Sequence, residues 1–191
     1  MRSILPILLL ALTACARLAD AEVAGTVELT LDGQQQTWYG VDAGSDMLPT
    51  ALWLAMGPDR AALSITAYRS PEIEFIADEA TRSPLPKGDA QALVISIGFS
   101  LDANEQAYVL PTDPGDGPAV VMILSDWSNP LDSYTLTDGP GEIRLTEINA
   151  NADQASRFVG TFQGTMQGSS GETKVIDNGR FEVQGLRLFE R

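Results

Sequence analysis

From residue 93 to residue 101 the apolar side chains fall on alternate positions, Leu93, Ile95, Ile97, Phe99 and Leu101, with Ser96, Gly98 and Ser100 between them. A repeat of two sends one set of side chains to each face of an extended chain, whereas an α-helix needs a repeat of 3.6. This stretch predicts a central strand, and the same repeat recurs on both sides of it. Val27, Leu29 and Leu31 alternate with Thr26, Glu28, Thr30 and Asp32, and Asp32-Gly33 supplies a turn from which Thr37 to Val41 returns as a partner. Ala51 to Met56 and the alternation Leu63, Ile65, Ala67 flank Gly57-Pro58-Asp59, which predicts two strands around a turn. Ile73 and Phe75 predict a short strand with Glu72 and Glu74 facing out, followed by a Pro-containing connection through Pro84 and Pro86.

The pattern continues through Val120 to Leu124, Tyr134 with Leu136, Ile143 with Leu145, and the side shared by Phe158, Gly160, Phe162, Gly164 and Met166. Pro111-Thr112-Asp113-Pro114-Gly115-Asp116-Gly117-Pro118 is a dense loop signal before the first of these strands. No long stretch carries a capped helical period. Many short strands divided by turns predict an all-β fold: a single-domain antiparallel β-sandwich over residues 23–191, with a β-barrel as the alternative.

Ahead of the strands lies a different kind of segment. Met1-Arg2 precedes an apolar run from Ile4 to Leu12, broken only by Pro6, and small residues lead to Cys15. A short basic end, an apolar middle and small residues before a cut are the layout of a secretory leader. The run is too short for a helix that crosses a hydrocarbon core, which takes roughly 20 residues. Leu12-Thr13-Ala14-Cys15 resembles the lipobox of bacterial lipoproteins. The resemblance implies that Cys15 receives a diacylglyceryl group, that residues 1–14 are removed as a signal peptide, and that the new amino end is acylated. Residues 15–22 then form a short tether to a membrane. Ala16 stands where lipoproteins kept in the inner membrane often carry Asp, so the expected location is the cell envelope, at the outer membrane in a Gram-negative host.

Charge narrows the partners. The chain has 26 acidic against 12 basic residues, a formal charge of −14, and no histidine. Nucleic acids and anionic surfaces are bound through Lys and Arg, so this balance disfavours both, and nucleic acid is not an expected partner. Cys15 is the single cysteine, so no disulfide can staple the fold. Without His, neither a Ser-His-Asp nor a Cys-His arrangement nor a His-bearing zinc site can be built, and Ser170 with Lys174 has the wrong spacing for a Ser-x-x-Lys motif. No catalytic residue is assigned.

Three oxygen-based or aromatic options remain. Paired carboxylates, Asp113 with Asp116 or Glu72 with Glu74, are the raw material of a carboxylate-dependent hydrolase of envelope glycans, the alternative to a binding role. Calcium takes oxygen ligands alone, and Asp113 and Asp116 are its candidate ligands. Asn149-x-Asn151-x-Asp153 begins like a calcium loop, but Gln154 and Gly160 occupy the places of its Gly and bidentate Glu. Apart from calcium no cofactor is expected. Trp38, Tyr39 and Trp127, each beside polar residues, are candidate platforms for a glycan or an envelope protein, while Trp53, inside an apolar run, reads as core.

The C-terminal end carries a second resemblance. Gly160-x-Phe162-x-Gly164, then Val175-x-Asp177-x-Gly179-x-Phe181-x-Val183, resembles a hairpin seen in uncharacterised bacterial lipoprotein and secreted β-domains. It implies architecture and brings no activity. Asn178-Gly179 suits either a tight turn or a bulge within one strand. The expected role is thus a lipid-anchored, non-catalytic binding or interaction module of the envelope.

Overall fold

In the computed structural model, the structure describes residues 22–42, 51–56, 58–73, 75–77, 84–86, 91–110, 121–126, 133–136, 140–150 and 156–187. Residues 1–21, which hold the expected signal peptide, Cys15 and all of the expected tether but Glu22, lie outside them. So do Glu74, the loop with Asp113 and Asp116, Trp127, Asn151 and Asp153.

Among the described residues every regular element is a strand. In chain order they are β1 (Glu22–Leu31), β2 (Gln34–Asp42), β3 (Ala51–Ala55), β4 (Arg60–Tyr68), β5 (Phe75–Ala77), β6 (Pro84–Pro86) and β7 (Gln91–Ser100). There follow β8 (Gln106–Leu110), β9 (Val121–Asp126), β10 (Tyr134–Thr135), β11 (Gly141–Asn149), β12 (Ser156–Gly168) and β13 (Thr173–Arg187). The alternation that predicts a central strand is realised in β7, which pairs with β4 from Ala92 to Ser100 on one edge and with β9 from Gln91 to Ser96 on the other. Asp32 and Gly33 both take positive φ, 50° and 79°, the two-residue turn whose twist matches that of paired strands. β8 and β6 have no counterpart in the sequence reading. β8 has too few alternating positions to stand out, and β6 holds two prolines, which a strand accepts only at an edge; β6 pairs with β5 alone.

The expected sandwich is replaced by its alternative, a closed barrel. β1, β2, β4, β7, β9, β10, β12 and β13 form an antiparallel ring, each paired with the next and β13 with β1. Two sandwich edges that would face solvent are joined instead: Tyr39 of β2 pairs with Tyr68 of β4, and β12 pairs with β13 over most of its length. Closure gives every ring strand a partner on both sides, which is the energetic advantage of a barrel, although β2 meets β4 at one residue pair. Period-two patterning is the same for a half-buried strand in either architecture.

The barrel is packed at one end. β3 enters between β4 and the end of β13, pairing antiparallel with one and parallel with the other. On the far side β11 pairs with β12 and carries β8 beyond it, and the Tyr108 hydroxyl of β8 donates to the Gly98 carbonyl of β7. Within this end Phe99 meets Trp53 and Phe158 edge to face, with centroids 6.4 and 5.6 Å away. Trp53 is core as expected, and its Nε1–H donates to Ser156 Oγ at 2.9 Å, which satisfies both polar groups in a buried setting. From there a continuous core of Leu63, Ile65, Leu93, Ile95, Ile97, Met122, Ile143, Leu145 and Phe181 fills the barrel.

The C-terminal resemblance has a packing explanation. Gly160 pairs directly with Phe181, and Phe162 with Gly179, so each ring lies in the space that its partner glycine leaves. The two rings stack at 6.3 Å with 28° between their planes. Asn178-Gly179 is a bulge and not a turn. β12 advances from Phe162 to Gly164 while β13 advances from Gly179 to Ile176, and β1 shows the same slip against β13. Asn178 takes φ 51° there.

A candidate ligand site at the open mouth of the barrel

The strands reach the other end of the barrel with β1 and β2 at Leu31 and Gln36, β7 at Gln91, β9 at Leu124 and Ser125, β10 at Tyr134 and β13 at Lys174. These residues and Trp38 line a cavity of about 320 Å³. The size lies at the lower end of the range for small-molecule sites, and barrel mouths are among the places where such sites occur.

Strand parity explains why a cavity opens here. Leu29, Trp38, Leu93, Leu124, Leu136, Ile176 and Met166 belong to the buried core. Two residues further toward the mouth, the same parity gives Gln36 on β2, Gln91 on β7, Tyr134 beside Leu136, and Lys174 on β13. On these four strands the inward face thus turns from apolar to polar within one layer, while β1 keeps Leu31 there. Polar side chains there can be hydrated only if the space above the core stays open.

The polar groups have defined partners. Trp38 Nε1–H donates to Gln36 Oε1 at 3.2 Å, which occupies the amide oxygen and leaves the amide N–H groups as what Gln36 can offer further. The Lys174 ammonium sits 4.6 Å from the centre of the Tyr134 ring, and the Arg69 guanidinium 5.6 Å from that of Trp38. The Lys174 side chain is 29% exposed and meets Asp32 Oδ2 at 3.7 Å, a long ion pair across the two hairpins of the rim. Asp32 also accepts from the Val175 backbone N–H at 2.8 Å, which ties the first hairpin to the last.

The expected Trp38–Tyr39 platform does not exist. Neighbouring residues of a strand point to opposite faces, so Trp38 goes into the barrel, 1% exposed, and Tyr39 goes outward. Tyr39 is half-buried against Val41, Tyr68, Ala92 and Ile73, a small cluster at the seam where β2 meets β4. Trp38 is thus the floor of the mouth. Burial in that cluster pushes the Tyr68 hydroxyl up to about 12. The sequence reading found Trp38 for the wrong face and missed Gln36, Gln91, Ser125 and Lys174. Gln36, Gln91 and Lys174 share one signal, a polar residue one strand repeat beyond an inward apolar one; Ser125, directly after the inward Leu124, carries none.

The outer wall is of another character. Arg157 donates to Glu147 and, at 2.9 Å, to Glu182; Arg144 pairs with Glu142 at 3.0 Å. The hydrogen bond from Arg157 holds the Glu182 carboxyl below its ordinary range. A hollow of about 440 Å³ on this face, over the β13 bulge, is larger than the mouth but lies among these exposed ion pairs. Charges outside and hydrocarbon inside are the reverse of a barrel whose wall faces lipid. Among the described residues no carboxylate lines the mouth, Glu142 is the acid that lines the hollow and Glu182 the one that lines a third cavity beside β1, so the described part of these spaces brings no two acids together. Glu72 lies in the bend before β5, exposed, and not on a strand face. Among the described residues no three His, Cys, Asp or Glu side chains cluster as a metal site.

No protein-family model matches this chain, and neither the curated proteins nor the solved structures contain a match to it.

Proposed function

We propose that this chain is a lipid-anchored envelope protein whose barrel is a non-catalytic binding module, with the small-molecule site in the barrel mouth. The observation that carries the binding role is the switch of the inward face from apolar to polar above Trp38, where a cavity of about 320 Å³ opens in an otherwise packed interior. The anchor rests on the leader and Leu12-Thr13-Ala14-Cys15. Several acyl chains hold a water-facing domain where one does not.

The topology supports a defined orientation. β1 starts at Glu22 beside Asp42, at the packed end, and runs toward the mouth at Leu31. Cys15 lies 7 residues before Glu22, and extended chain reaches at most about 25 Å over that length. A lipid on Cys15 therefore keeps the packed end near the bilayer and leaves the mouth to the aqueous side.

One preparation tests both parts. The natively expressed protein, extracted from its membrane, is weighed under denaturing and native conditions beside Cys15→Ser and Gln91→Trp, the latter obstructing the mouth from the inward face of β7. The expected result is an acyl mass that persists on denaturation and is lost in Cys15→Ser, together with a small non-covalent mass that is lost in Gln91→Trp. A wild type without acyl mass refutes the anchor, and a non-covalent mass unchanged in Gln91→Trp refutes the mouth as its site.

A further inference from the structure

We propose that the mouth selects small organic anions, with an apolar body against Leu31, Leu124 and Trp38 and an anionic head toward Lys174 and Gln36. This rests on the reading of the mouth as a ligand site and names the class that the site accepts.

The first observation is one of charge. Acidic residues outnumber basic ones 26 to 12, yet among the described residues that line the mouth none is acidic and the charged one is Lys174. The second is the kind of hydrogen-bonding group presented. Lys174 offers only donors, and Gln36, its oxygen engaged by Trp38, offers its amide N–H groups. A set of donors suits an anionic oxygen, because a hydrogen bond to a charged group is stronger than one to a neutral group. The third is that Lys174 is held in place. Its ammonium rests on the Tyr134 ring at 4.6 Å, while its ion-pair partner, Asp32, stands 3.7 Å away on the rim and is half-exposed. An incoming anion exchanges that loose contact for a shorter one. Arg69, exposed and 5.6 Å over the Trp38 ring, adds a second positive charge beside the opening, and among the described residues no carboxylate pairs with it. The chain's overall negative charge weakens every anion's approach equally, so selectivity shows as a ratio measured within one protein.

The test is calorimetric titration of the purified full chain with 4-phenylbutyrate, 4-phenylbutanol and 4-phenylbutylammonium, which share one apolar body. The wild type is expected to bind the carboxylate at least about tenfold more tightly than the alcohol. Lys174→Met, which keeps the apolar stem, should bring that ratio to about one, and Lys174→Arg should retain most of it. Equal affinity of the wild type for carboxylate and alcohol, or preference for the ammonium, overturns the anion class and leaves the mouth as a binding site. No heat from any of the three probes overturns both. The wild-type ratio needs no variant, so the outcome does not depend on Lys174→Met folding; its melting curve checks that it does.

Discussion

Phenylalanine and glycine face each other twice across β12 and β13, Phe181 over Gly160 and Phe162 over Gly179. The spacing read as a family likeness is thus a steric rule, with each glycine kept small by the ring it supports. An alanine at Gly160 would place its Cβ against Phe181 and 2.6 Å from the Arg144 carbonyl oxygen. Gly160→Ala should therefore cost about 1–3 kcal/mol, as overpacking of a tight core does. Urea unfolding checks this, with the exposed Thr161→Ala as a control expected to stay within about 0.5 kcal/mol. Trp38 and Tyr39 give the opposite lesson for single residues. Their aromatic character was plain, but the face each one takes depends on the register of β2, and a shift of one residue exchanges them.

The hairpins of β1–β2 and β12–β13 meet at Asp32, which performs three tasks: it takes the positive φ of the turn, accepts from Val175 N–H, and faces Lys174. Asn tolerates the same φ and retains the acceptor, whereas Ala does neither. Asp32→Ala should thus lower stability by about 1–2 kcal/mol and Asp32→Asn by about half of that or less. The difference between their urea midpoints measures the turn and its hydrogen bond, and leaves aside the exposed ion pair, whose contribution is small. The bulge at Asn178 belongs to this scale too. The dipeptide Asn178-Gly179 suits a turn or a bulge on local grounds, and the pairing of β13 with β1 and β12 on both edges chooses the bulge.

At the scale of the whole barrel, closure between β2 and β4 runs through Tyr39 and Tyr68, and the Tyr68 hydroxyl is pushed by burial from 10.0 up to about 12. A raised value means that the folded state resists ionisation. Stability from this group is fully present below pH 10 and is lost as the pH rises toward 12. A shift of two units corresponds to about 2–3 kcal/mol for so buried a group. Urea unfolding at pH 8, 10 and 11.5 should show that decline, and Tyr68→Phe should flatten it whatever the variant's stability at pH 8. Equal slopes in the two proteins would separate alkaline weakening from this seam. Tyr108 is also raised to about 12 by burial, but it is half-exposed and contributes less.

The amino-acid sequence by itself determined that the chain is all-β, where its turns lie at Asp32-Gly33 and before Asp59, and that β7 is central with Trp53 in the core. Each of these follows from local φ preferences and a period of two, which neighbouring residues encode. Barrel against sandwich was decided only by tertiary structure, since it depends on whether Tyr39 finds Tyr68 across a gap of more than twenty residues. The mouth was likewise hidden. Gln36, Gln91, Tyr134 and Lys174 come from four distant strands, and what assembles them is the common stagger of a closed barrel, a property that no single segment of the chain contains.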